Sequence, residues 1–160
     1  MNQLARNNSD GDQWELAKGN TLRRLFGLPF LMLAWFAPHK TIRVFFHKLR
    51  GVRIGKGVEI GYFCIIGNVH PEMVEIEDEA VITARVTILE HDNSYFYTGR
   101  GDVKFGEVRI GRRAFVGIGS VIMPGVSIGE RAIVGSLTFV NRNVVAESIV
   151  VGNPGRALEL

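Results

Sequence analysis

The 160-residue chain carries four histidines, His39, His47, His70 and His91, and one cysteine, Cys64. Their spacing gives no compact metal-ligand motif, so no metal is expected. A lone cysteine excludes an intrachain disulfide framework and a multi-cysteine zinc site. His91 ends the segment Ile88-Leu89-Glu90-His91 and is followed by Asp92. A neutral imidazole beside carboxylates is the standard equipment for moving a proton near neutral pH. Glu90 or Asp92 would orient the ring or raise its basicity.

The elements that position this histidine must come from an unusual composition. Nineteen glycines are too many for a helical bundle, while 46% hydrophobic and 22% charged residues describe a globular chain of one domain's size. The net charge of +3 is unevenly spread. Residues 1–56 hold ten Lys/Arg against three acids, and the rest holds nine against thirteen. The basic amino-terminal third points to an anionic surface or partner near that end. The acidic body carries no nucleic-acid recognition motif, which argues against that partner. No apolar run reaches eighteen residues, so no membrane span is expected. The first residues do not look like a secretory signal, and the single cysteine fits a reducing, cytoplasmic compartment.

The dominant signal is a period of six. Ile54, Ile60 and Ile66 are followed after a short skip by Ile76, Ile82 and Ile88. After a longer skip come Ile110, Val116, Ile122, Ile128, Val134 and Val140. The next residue is Gly at seven of these twelve sites, and the fourth residue on is mostly small or β-branched, as at Cys64, Ala80, Ala114 and Ala132. Six fits neither a helix nor simple alternation. It predicts a short strand plus a corner, with the aliphatic residue inward and Gly allowing the corner's backbone conformation. Three hexads make one triangular turn, giving four turns: 54–71, 76–93, 110–127 and 128–145. The skips at 72–75 and 94–109 are corner insertions, and the second is long enough to carry function. His70 sits where the first turn is interrupted, which suits a structural or substrate-rim role.

Residues 52–158 resemble the hexapeptide-repeat acyltransferases, most closely their sugar and small-molecule O-acetyltransferases. The likeness rests on "HPEMVEIEDEAVI" followed by "VTILEHD", on "VRIGRRAFVGIGSVIMPGVSIGERAIVG" and on "SIVVGNPGRAL". The resemblance implies an all-β core, a left-handed parallel β-helix. It implies a catalytic role for His91, acting as general base in direct transfer of an acetyl group from acetyl-CoA to a saccharide hydroxyl. It places Gly117, Gly119, Gly135, Ser136, Arg142 and Arg156 along the coenzyme, the arginines toward its phosphates. It also implies a homotrimer with active sites between subunits. A carbonic anhydrase sharing this fold would need a close zinc-ligand pair, which the sequence lacks. Leu137 departs from the family, standing where a Gly or small residue is usual.

Residues 1–51 lie outside the repeat, and 52–160 form the repeat domain. Residues 12–26 have helix-forming composition, Leu25–Ala37 is an apolar run too short to cross a bilayer, and Thr41–Arg50 reads as a helix with Ile42, Phe45, Phe46 and Leu49 on one side. One reading is a helical cap over the open first coil that also packs on neighbouring subunits. The other is a peripheral membrane contact through residues 22–50, holding the protein at the inner membrane face. Three functions remain open on sequence: an O-acyltransferase, an N-acyltransferase on an amino sugar or small amine, and a non-catalytic β-helix scaffold. In either enzyme the acceptor would meet the 94–109 loop, where Tyr95, Phe96 and Tyr97 offer aromatic faces for a sugar or a subunit contact.

Overall fold

The computed structural model describes residues 21–158; the first part, 12–20, of the segment of helix-forming composition over 12–26 and the acids Asp10, Asp12 and Glu15 lie outside them. Two helices come first, α1 (Thr21–Phe36) and α2 (Lys40–Leu49). The repeat follows as triplets of very short strands. The first coil holds β1 (Arg53–Ile54), β2 (Glu59–Ile60) and β3 (Ile65–Ile66). The second holds β4 (Val74–Ile76), β5 (Val81–Ile82) and β6 (Thr87–Ile88). A hairpin, β7 (His91–Asp92) and β8 (Lys104–Phe105), then leaves the coil around a short helix, α3 (Ser94–Tyr97). The third coil holds β9 (Val108–Ile110), β10 (Phe115–Val116) and β11 (Val121–Ile122). The fourth holds β12 (Ser127–Ile128), β13 (Ile133–Val134) and β14 (Phe139–Val140), and β15 (Ile149–Val151) and β16 (Arg156–Ala157) close the chain.

Strands at the same corner of successive coils pair in parallel, giving sheets β1-β4-β9-β12, β2-β5-β10-β13-β15 and β3-β6-β11-β14. Register follows the repeat: Ile60 faces Ile82, which faces Val116, which faces Val134. Both skips are taken up mainly outside the three sheets, with Val74, Glu75, Val108 and Arg109 at their ends joining β4 and β9. The short one becomes a 3-10 turn at Pro71–Met73, and the long one becomes the hairpin. Eleven of the twelve repeat aliphatics are buried, with Ile54 half-buried, and the fourth-position residues such as Cys64, Ala80 and Ala132 lie buried with them. Each buried Ile or Val contributes roughly 1.5–3 kcal/mol.

The glycines work differently from the expectation. The corner's left-handed backbone falls three residues after the aliphatic, at Phe63 (φ 58°), Arg85 (φ 58°), Arg113 (φ 56°) and Leu137 (φ 57°), mostly on residues with side chains. The glycine directly after the aliphatic is required by close approach instead: a Cβ on Gly61 would sit 2.5 Å from the Ala84 nitrogen one coil away. Coil spacing, not turn conformation, selects Gly there.

The outward faces differ. The first sheet presents an ionic ladder, with Arg53 opposite Glu75 and Glu75 opposite Arg109. The second presents an apolar ladder, Val81, Phe115, Ile133 and Ile149.

Helix α2 is inside out. It buries His47, Arg43 (7% exposed) and the following Arg50 (6%), and exposes Ile42, Phe45 and Leu49. The expected grouping of apolar residues holds for those three, but their side faces solvent. The cause lies in the coil's edge. In each later coil the carbonyl of the repeat aliphatic accepts an N–H from the coil before it, as Ile82 does from Gly61 and Val134 from Gly117. The first coil has no predecessor. Arg43 Nε donates to Ile60 O (2.6 Å), Arg50 Nη1 to Ile66 O (3.1 Å) and Arg50 Nη2 to Gly67 O (3.0 Å). Trp35 Nε1 adds a bond to Cys64 O (2.9 Å). The buried cations therefore replace a missing strand.

Candidate active site

His91 lies on β7, where the chain turns off the second coil. Its ring is largely buried, with 15% of the side chain exposed. Glu90, the residue before it, is fully buried, and its Oε1 lies 3.1 Å from His91 Nδ1. The same oxygen accepts the backbone N–H of Val69 (2.7 Å) and of His70 (2.9 Å), so the interrupted corner of the first coil grips the carboxylate. Burial alone would push the Glu90 carboxyl up. The bonds from His91 and from the His70 and Val69 amides outweigh it and hold the carboxyl at about 2. An ionised Glu90 accepts a hydrogen bond from the Nδ1–H tautomer of the ring, and in that tautomer Nε2 carries the lone pair.

Asp92 does something else. Its Oδ1 accepts the backbone N–H of Ser94 (2.9 Å), which with further bonding from Ser94 holds its carboxyl below the usual range. Asp92 thus fastens the start of α3, and Glu90 alone of the two carboxylates bonds the ring. Phe105, across the hairpin from His91, stacks on it with centroids 6.1 Å apart and meets the His70 ring edge-on at 5.5 Å. Phe105 was not expected at the site, whereas His70 was expected in a structural or substrate-rim role. No spacing marks Phe105, since only the antiparallel register of β7 and β8 brings it back.

Tyr95 and Tyr97 stand exposed on α3, and Lys104 Nζ lies 4.1 Å above the Tyr95 ring. This cation–π contact covers one face of the ring and leaves the other open. The candidate coenzyme residues fall into separate groups. Gly117, Gly119, Gly135 and Ser136 share the corner between the second and third sheets, where a Cβ on Gly117 would sit 2.5 Å from Ser136 N. The N–H groups of Gly117, Gly119 and Gly135 are already spent on Val134, Ala84 and Val150 carbonyls. A ligand at this corner would therefore not be held by those amides, and the Cβ positions of Gly117 and Gly135 are already taken up by the next coil. Leu137 overhangs the corner: a Cβ on Gly119 would meet Leu137 Cδ2 at 2.8 Å. Arg142 is exposed beyond β14, and Arg156 is exposed opposite Val151 on the last antiparallel pair. Away from all of these, a charged groove of about 480 Å³ crosses the first sheet between Arg53, Glu75, Arg109 and Arg112.

Comparison with known proteins agrees with the coil. The bacterial transferase hexapeptide family (six repeats) matches residues 107–142. An inferred acetyltransferase, YvoF, of Bacillus subtilis (strain 168) is 28% identical over 107 residues, covering 67% of this chain. The match spans only 59% of that relative's length. A dTDP-4-amino-4,6-dideoxy-D-glucose acyltransferase of Escherichia coli is 25% identical over 143 residues, covering 71% of this chain and 73% of the relative. Among solved structures, the hexapeptide-repeat acetyltransferase VCA0836 of Vibrio cholerae O1 biovar eltor, complexed with acetyl coenzyme A, superposes with a TM-score of 0.71 at 19% identity over 87% of each chain. The stacked six-residue rungs and these matches together make the chain similar to the hexapeptide-repeat acyltransferases.

Proposed function

We propose that the protein is a CoA-dependent acyltransferase that moves an acetyl group from acetyl-CoA to a hydroxyl of a saccharide or related small acceptor, with His91 as general base. The observation that carries this reading is the Glu90–His91 pair at the root of the hairpin, 3.1 Å apart, with the carboxylate buried and ionised. His91 Nε2 takes the acceptor proton as its oxygen attacks the thioester carbonyl. The tetrahedral adduct collapses, the C–S bond breaks, and the imidazolium returns the proton to the departing thiolate. Glu90 stabilises that imidazolium while it exists. The thioester donor would lie along the Gly117–Gly135 corner, with Arg142 and Arg156 meeting its phosphates, and Tyr95 and Tyr97 would take the acceptor's flat face.

An amine acceptor is the second reading, favoured by the relative that acts on a dTDP-linked amino sugar. We further propose a homotrimer packed through the apolar ladder of Val81, Phe115, Ile133 and Ile149, because a parallel stack of outward aliphatics needs a partner. One experiment separates the readings: follow free thiol from acetyl-CoA against an acceptor library of sugars and amino sugars. Thiol release that needs an acceptor and is lost in His91→Ala supports transfer, and the acceptors used divide O- from N-transfer. No thiol release with any acceptor, and no thermal shift with CoA, would leave a scaffold.

A further inference from the structure

Helices α1 and α2 leave one continuous apolar face uncovered. Leu28, Met32, Leu33 and Phe36 stand on α1, and Ile42, Phe45 and Leu49 on α2, each at least 41% exposed and Phe36 at 66%. The face runs on to the corner of the first coil, where Phe63 (46% exposed) meets Phe36 edge-on at 5.6 Å beside Tyr62 (41%). Nine large apolar side chains in one patch are more than a monomer normally shows to water. The patch cannot turn inward, because the opposite side of α2 is committed to Arg43, His47 and Arg50 at the coil's edge.

Charge selects what covers it. Residues 21–58 contain no Asp or Glu and hold eight Lys and Arg; Arg43 and Arg50 are buried at the coil's edge and Lys40 and Arg53 pair with coil acids, while Lys48 and Lys56 stand exposed. Two copies meeting through this face would set cation against cation. Among the acids of the coil body, Glu59 pairs with Lys40 and Glu75 and Glu107 with Arg53 at the edge of this segment, while Glu77, Glu79 and Glu147 pair with Arg109, Arg113 and Arg131 of the coil itself. An apolar face inside an acid-free basic segment is complementary to lipid, whose acyl region takes the side chains while anionic headgroups take exposed cations such as Lys48 and Lys56. Tyr62, with its hydroxyl on the Pro38 carbonyl, has the amphipathic form suited to that boundary. No helix among the described residues is long and apolar enough to cross a bilayer.

We propose that the α1–α2 face is a peripheral docking surface for an anionic lipid leaflet, which would keep the His91 site beside acceptors held at a membrane. The test is sedimentation of the full chain with phosphatidylglycerol vesicles and with phosphatidylcholine vesicles. The wild-type chain is expected to sediment with the former, to do so less at high salt, and to bind the latter far more weakly. The double variant Leu33→Ser/Phe45→Ser, at two exposed positions, should lower partitioning about tenfold or more with its melting temperature and mass in solution unchanged. Failure of the wild type to sediment with either vesicle overturns the proposal. So does equal partitioning of wild type and variant. If the variant instead changes the mass of the assembly in solution, the face joins copies of this chain and lipid docking is wrong. None of these readouts uses acyl transfer, so the result stands apart from the proposed activity.

Discussion

Glu90 Oε1 lies 3.1 Å from His91 Nδ1, and two backbone amides from the preceding coil share that oxygen. Glu90 Oε2 is buried with no hydrogen-bond partner among the described residues. The carboxylate is thus held from one side by groups that fix its position, and its charge is spent on the ring.

This arrangement predicts how the pair divides the work. His91→Ala should lower turnover by about two to four orders of magnitude with the fold intact. Glu90→Gln keeps an acceptor oxygen near the amides but removes the charge that stabilises an imidazolium, so kcat should fall about tenfold to a hundredfold with KM for acetyl-CoA little changed. Asp92→Asn, by contrast, should act through the loop, raising KM for the acceptor more than it lowers kcat, because Asp92 bonds Ser94 and not the ring. Steady-state kinetics on the three variants check this. Equal losses of kcat in Glu90→Gln and Asp92→Asn would remove the special place given to Glu90.

Acid stability should show two buried groups whose contributions begin to be lost at different pH. His47 is held far down, at about 3 against 6.5, by burial and then by the Arg50 guanidinium that donates to its Nδ1 (3.2 Å). The unfolded chain therefore binds the extra proton first, and stability falls as pH drops below about 6.5. Glu90, lowered from 4.5 to about 2, also makes the unfolded chain the better proton acceptor, but only below about 4.5. Between pH 7 and 4.5 the His47 contribution lost is on the order of 3 kcal/mol. His47→Gln retains an acceptor for Arg50 and does not titrate. Urea unfolding midpoints of that variant should stay nearly flat from pH 7 to 4.5, while the wild-type midpoint declines. Parallel decline of both would show that His47 is not the group responsible.

The coil was legible because burial in this fold is written as a period: every sixth residue points inward, and Ile or Val is needed at each one. His91 was legible through the sequence around it. Other features were not, for a common reason. Phe105 reaches His91 only through the hairpin register, Arg43 and Arg50 matter only because an edge carbonyl lacks a strand, and the left-handed corners carry Phe63, Arg85 and Arg113 in place of any marker residue. Each depends on what lies one coil away, and spacing along the chain does not report that. The grouping of Ile42, Phe45 and Leu49 was readable, but its direction was not, since hydrophobic pattern alone assigns the apolar side to the core.

The two kinds of corner position should respond in opposite ways to substitution. Gly117→Ala places a Cβ 2.5 Å from the Ser136 backbone, so two coils must separate, at a cost of about 2–3 kcal/mol. Leu137 holds φ 57° with its side chain 75% exposed, so it gives little burial in return for a left-handed backbone. Leu137→Gly should relieve about 1 kcal/mol of conformational cost, offset in part by the entropy of glycine, and leave stability unchanged or slightly higher. It also clears the Gly119 corner, so KM for acetyl-CoA should fall. Thermal unfolding and donor titration of both variants check these signs.

The edge cations give the sharpest stability contrast in the chain. Arg43 Nε and Nη1 serve the carbonyls of Ile60 (2.6 Å) and Ala37 (2.8 Å), and its guanidinium lies 4.1 Å from the Tyr62 ring centroid. Arg43→Met preserves the apolar stem but orphans two acceptors at a buried edge, each worth about 1–3 kcal/mol when left unsatisfied. The expected loss is about 3 kcal/mol, with α1 and α2 loosening first because they join the coil through these bonds. Lys48→Met, on the exposed side of the same helix, should change stability by no more than about 0.5 kcal/mol. Hydrogen exchange of the α2 and β2 amides in both variants tests the assignment. Protection lost in Arg43→Met and kept in Lys48→Met is the expected pattern, and equal protection in the two would mean that the first coil's edge is satisfied without its arginines.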